Sequence, residues 1–228
     1  MLLAEDLLLL LTDDTSGKLC ATSGEVDAAL GGANLVELTM MDKVGLSGDG
    51  DPGKAGRIVV RDAAPPGDDV LAGALQTLSD HQGDKPQAVI NPLSKNLRAV
   101  LYQRLTDSGV LRSEHGRILG VFPTHTWPAN DGRHEAGVRQ VITGVLVQDA
   151  VPDQRTAALV ALLHALRCED KVVDPKRHGM SRKQLQARAE QVAEGDWASD
   201  AVRKAIEQMT AAVMAAVTAS TTAAAAAT

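Results

Sequence analysis

NPLSKNLRAVLYQRLTDSGVLRSEHGRILGVFPTHTWP, running from Asn91 to Pro128, joins an amphipathic helix to a short hairpin, and the class of fold turns on it. At roughly 100° per residue, Leu93, Leu97, Val100, Leu101 and Leu105 share one arc, while Lys95, Arg98 and Tyr102 lie opposite. One face can be buried and the other can offer cations. Asp107-Ser108-Gly109 ends the helix, because glycine accepts the left-handed backbone that helix ends often need. Val110-Leu111 and Ile118-Leu119-Gly120-Val121-Phe122 then flank the turn-prone Ser113-Glu114-His115-Gly116, which predicts a hairpin turning there. Arg104 falls in the apolar arc, so it is expected either to snorkel at the helix end or to pair with an internal acid such as Glu37 or Asp107.

Outward from that stretch the apolar spacing is mostly helical. Helices are expected over Leu3 to Leu11, Gly24 to Met41, Gly67 to Asp80, Glu135 to Gln148, Thr156 to Arg167, Lys176 to Glu194 and Trp197 to Val217. Gly31-Gly32 costs the second of these about 1 kcal/mol per glycine relative to alanine, which points to close packing or a kink. Pro152-Asp153 is a start signal, and the nearly apolar segment after it is expected to be the most buried helix. Val44-Gly45-Leu46 and Arg57-Ile58-Val59-Val60 read as two strands around the Gly/Asp-rich loop Ser47 to Gly56. The Ala/Thr-rich tail, residues 218–228, is expected to be frayed or disordered, which leaves residues 1–217 as the domain. The fold class is mainly α, a single globular domain with short β-hairpins.

Composition narrows the function classes. The 228 residues are 44% hydrophobic but only 2% aromatic, so leucine, valine and alanine must fill one sizeable core. A formal charge of −6 argues against nucleic-acid binding, which needs clustered cations to neutralise phosphates. A winged-helix module, imitated by a helix followed by a hairpin, is therefore the weaker reading. The apolar run Leu7 to Leu11 follows Glu5-Asp6 rather than a basic segment, so it reads as a core helix and not a secretory signal. No run approaches the ~18 apolar residues of a membrane span. Cys20 and Cys168 make no disulfide framework and are read as two reduced thiols in a cytosolic protein. Much Ala, Val, Asp and Gly beside little Phe, Tyr, Ile or Lys suggests a GC-rich bacterial genome.

Candidate catalytic and metal motifs do not assemble. Gly48-Asp49-Gly50-Asp51-Pro52-Gly53 has the look of a calcium loop, but its twelfth position is Val60 rather than a bidentate acid. His164 and Cys168, four apart, are half of a metal site with no second pair, and are read as packed side chains. Gly17-Lys18 lacks the upstream glycine of a phosphate loop, and neither G-x-S-x-G nor H-E-x-x-H occurs. No catalytic residue, metal site or cofactor is expected.

Four segments taken together resemble the Golgi phosphoprotein 3 family. They are LAEDLLLL from Leu3 to Leu10 with Asp13, Asp14, Gly17 and Lys18; AALGGANLVEL from Ala28 to Leu38; Leu105 to Leu111 with the hairpin after it; and DQRTAALVALLHA from Asp153 to Ala165. Glu194-Gly195-Asp196-Trp197, followed by Ala201 to Ile206, resembles the C-terminal helix of the family's bacterial branch. The resemblance implies a buried central helix wrapped by amphipathic helices, with a projecting hairpin.

It implies a non-enzymatic role too, since the eukaryotic relatives are peripheral membrane adaptors that bind phosphatidylinositol 4-phosphate and retain glycosyltransferases. Their headgroup pocket uses one tryptophan and several arginines. Carried over, two helix arginines fall on Lys95 and Arg98, the tryptophan falls near Thr22 and a further arginine near Gly31. The hairpin falls on Glu114 to Thr124, with Ile118, Leu119, Val121 and Phe122 as the part that contacts a membrane or a neighbouring subunit. The expected partners are an anionic phospholipid surface at the cytoplasmic face of a membrane, a partner protein and further copies of the chain. A scaffold that uses the fold for protein contacts alone is the alternative.

Overall fold

The computed structural model describes residues 1–48, 50–51, 53–118, 122–195, 208 and 210–219, with only the backbone described at 115–118 and 122–124. Two helices make the centre. Helix α1 (Leu3–Leu11) buries every one of its residues, Glu5 and Asp6 included. Helix α2 (Ser23–Met40) is buried without a break from Ala28 to Thr39. It starts at a reciprocal cap, in which the Thr22 hydroxyl accepts from the Glu25 N–H and the Glu25 carboxylate accepts from the Thr22 N–H. The mainly helical class is as expected, but the most buried helix is α1, not the segment after Asp153. That segment, α7 (Gln154–Ala165), is buried from Thr156 to Leu163 but not at its two ends.

Around this pair pack α3 (Asp69–Asp80), α4 (Pro86–Ser94), α5 (Leu97–Asp107), α6 (Arg133–Val147), α7, the single turn α8 (Glu169–Val172) and α9 (Arg182–Glu194). A further helix covers residues 210–219, and the rest of the alanine-rich tail lies outside the described residues. Strands β1 (Val44–Leu46) and β2 (Ile58–Val60) form a small antiparallel ribbon against α3. The adjacent glycines of α2 are close-packing sites. A Cβ on Gly31 would stand 2.8 Å from the Ile90 carbonyl oxygen, and one on Gly32 would meet Val213. Leucines dominate the core, as the scarcity of aromatics requires.

The stretch from Asn91 to Pro128 departs from its sequence reading in three ways. The single helix is two, because Lys95 closes α4 and Asn96, at φ 59°, turns the chain left-handed before α5; asparagine is among the few residues that tolerate this. The break rotates the faces, so Tyr102 is buried at 4% exposure while Val100 is exposed. The hairpin turns later than Ser113–Gly116. Strands β3 (Glu114–Ile118) and β4 (Phe122–Thr126) pair antiparallel with Ile118 opposite Phe122, and Leu111 bridges Ala129 at the base. The family resemblance, placing the hairpin on Glu114 to Thr124, locates it better than the turn propensities do. Gly109, at φ 75°, does end α5 as expected.

Candidate functional site: an aromatic cleft at the root of the hairpin

Where β4 leaves the hairpin, the chain runs directly into an aromatic stack. Trp127 lies over Tyr102 with centroids 4.1 Å apart and planes 5° from parallel, and His125 leans on the other side at 4.1 Å and 33°. The stack is fixed at several points. The Tyr102 hydroxyl shares a hydrogen bond with the Thr12 hydroxyl at 3.0 Å, and Thr12 donates to the Leu8 carbonyl at the end of α1. Burial raises the Tyr102 phenol above its ordinary value, although the Thr12 bond opposes this. Ser113 and His125 share a bond at 2.6 Å across the strands. Gly17, at φ 63°, lies so close that a Cβ would reach the Trp127 backbone nitrogen at 2.7 Å. That close approach explains why a glycine stands in the segment between α1 and α2.

The stack walls an open cleft of about 710 Å³, whose other sides include Leu19, Asp27, Asn96 and Arg98. Arg98 is the cation of the cleft, but it is already engaged, with its Nε 3.1 Å from the Asp27 carboxylate. Burial raises the Asp27 carboxyl above its ordinary value and Arg98 draws it back. Lys95 stands exposed between the cleft-lining Ser94 and Asn96. Lys95 closes α4 and Arg98 lies in α5 beyond the break at Asn96, and of the two it is Arg98 that lines the cleft. Thr22 caps α2, and Gly31 faces the backbone of α4, so neither supplies the tryptophan or arginine of the family pocket. The indole and imidazole of this cleft are those of Trp127 and His125, which the sequence reading did not single out. Their signal is a His-x-Trp step at the end of β4, since alternate strand residues share a face. Of the hairpin residues, Leu119 and Val121 lie outside the described residues. Ile118 and Phe122 are placed by their backbone pairing.

Away from the cleft, Arg104 and His164 are engaged by carboxylates. Arg104 pairs internally, with Glu5 at 2.9 Å and Asp68 at 2.7 Å rather than with Glu37 or Asp107. His164 bonds Glu169 at 2.5 Å while Cys168 faces Cys20, so these two do not converge on a metal. Among the described residues no three His, Cys, Asp or Glu groups cluster as metal ligands, and no helix is long and apolar enough to cross a membrane.

These features define a mainly helical domain with an aromatic-walled cleft at the root of a β-hairpin. Residues 3–209 match the family model described as Golgi phosphoprotein 3 (GPP34), and the chain belongs to that family. No curated protein sequence matches it.

Proposed function

We propose that the protein is a peripheral membrane protein, without enzymatic activity, that holds an anionic phospholipid headgroup in the cleft at the hairpin root and can present a partner protein to that surface. By family, the headgroup is phosphatidylinositol 4-phosphate. The observation that carries this reading is contiguity. Trp127 stacks on Tyr102 beside Arg98 and is the residue directly after β4. A hairpin touching the bilayer therefore sets the cleft at headgroup depth, where indole rings favour the interface. Arg98 supplies charge-assisted bonds to a phosphate, at the expense of its contact with Asp27.

Vesicle co-sedimentation tests this reading. Binding to phosphatidylinositol 4-phosphate vesicles over neutral ones is expected. Arg98→Ala should weaken it about 5- to 10-fold, consistent with roughly 1 kcal/mol per basic residue near a membrane. Asp27→Asn should strengthen it by freeing Arg98. The Asp27–Arg98 pair also favours a second reading, a scaffold that works through protein contacts alone with its cleft neutralised. Equal indifference of wild type and Asp27→Asn to every vesicle would select that one.

A further inference from the structure

Outside the Trp127 cleft, one pair of nucleophilic side chains remains without a role. Cys20 lies between α1 and α2, and Cys168 is the N-cap of α8. They are 148 positions apart, yet their sulfurs share a hydrogen bond at 2.7 Å. Both are free thiols. Each is presented by an anchored backbone, for the Cys20 N–H donates to the Leu11 carbonyl at 2.9 Å and the Cys168 N–H to the Leu163 carbonyl at 3.0 Å. A disulfide places its sulfurs at about 2.05 Å, so only a small approach separates the pair from a covalent bond.

Their surroundings differ in a useful way. Cys168 is buried at 2% exposure. Cys20 is half-buried and lines a second open cleft, of about 490 Å³, with Lys18, Arg139, Lys171, Asp13 and Asp14. A reagent in that cleft meets Cys20 first and leaves Cys168 behind it as the resolving thiol. The hydrogen bond with Cys168 lowers the Cys20 thiol below its ordinary value against the effect of burial, and Lys171 adds to the lowering. Metal ligation is the competing use of two close cysteines, but no third ligand joins them among the described residues.

We propose that Cys20 and Cys168 form a redox-active dithiol, a site of reversible intramolecular disulfide formation that a low-molecular-weight disulfide reaches through the cleft beside Lys171. The Cys20 thiolate attacks one sulfur of glutathione disulfide, forming a mixed disulfide and releasing one glutathione thiolate. Cys168 then gives up its proton to solvent and attacks the Cys20 sulfur, expelling the second glutathione. Two protein thiols are oxidised and one external disulfide is reduced to two thiols, so electrons and protons balance. In a reducing compartment such bonds are transient and redox-sensing rather than permanent. The closed form staples the Lys18–Ala21 segment to the start of α8.

Reduced full-length protein treated with glutathione disulfide, followed by alkylation and non-reducing peptide mass mapping, tests this directly. The expected result is loss of both alkylatable thiols, an intact mass lower by two hydrogens, and one peptide joining Cys20 to Cys168, all reversed by dithiothreitol. The oxidised form should melt about 5 °C or more higher, since the link closes a long loop of the unfolded chain. Cys20→Ser, at the more exposed position, should keep Cys168 alkylatable under the same oxidant and abolish the thermal shift. Wild type that retains both thiols, that carries glutathione on Cys20 without the cross-link, or that links only between molecules would overturn the proposal. None of these readouts depends on lipid binding.

Discussion

Asp6 is 3% exposed and receives Arg155 at 2.6 Å and His134 at 2.7 Å. Arg155 also reaches Glu37 at 3.2 Å and the Met1 carbonyl at 2.9 Å, and Glu37 accepts the Leu3 N–H at 2.8 Å. One guanidinium thus ties the starts of α1 and α7 to α2. Arg155→Ala would leave Asp6 with half its partners in a buried setting, which typically costs about 3–5 kcal/mol, and urea unfolding should show a loss of that size. Glu135 carries a separate prediction. Burial raises its carboxyl from an ordinary 4.5 to about 7, with Asp14 reinforcing the rise and Arg139 opposing it. The folded state therefore holds this proton more tightly than the unfolded chain does. Its contribution to stability is fully present below pH 4.5 and declines as pH climbs to about 7, by roughly 3 kcal/mol. Stability curves at pH 5 and pH 8 should diverge less in Glu135→Gln than in wild type.

At the scale of elements, periodicity located the longer helices, which bury leucine or valine stripes that repeat as geometry demands, but it missed the first turn of α4 before Asn91 and the single turn α8. It failed where one residue altered the backbone. Asn96 in its left-handed conformation divides α4 from α5, and no count of apolar spacing detects a break that leaves Leu93 and Leu97 both buried. Val100 and Tyr102 exchanged roles for the same reason. The cleft was barely legible, because its stack joins α5 to the end of β4 and depends on long-range closure around Gly17. Arg98 was visible as a cation; its pairing with Asp27 was not. The glycine pair of α2 was legible as close packing, and its direction can be tested. Gly31→Ala gains about 1 kcal/mol of helix propensity but drives a Cβ to 2.8 Å from the Ile90 carbonyl oxygen. Overpacking of this kind costs typically 1–3 kcal/mol, and a backbone atom has little room to yield. A lowered melting temperature is expected, with α4 displaced from α2.

For the molecule as a whole, the formal charge of −6 opposes approach to an anionic surface, so the proposed lipid recognition must be local. Arg98 gives the cleft charge, and the Trp127–Tyr102 stack gives it shape. In the proposed reading, the hairpin brings it to the bilayer. Such a contact should weaken between low and physiological salt as the Debye length shortens to about 8 Å, while any apolar contribution from the hairpin persists. The central claim is that this cleft is the headgroup site. In a Trp197→Phe background Trp127 is the sole tryptophan, and its fluorescence can be titrated with vesicles containing phosphatidylinositol 4-phosphate or neutral lipid alone. A saturable change with the phosphoinositide, weakened by Arg98→Ala and strengthened by Asp27→Asn, is the predicted result. Binding to those vesicles with no change at Trp127, or a response indifferent to both substitutions, would contradict it.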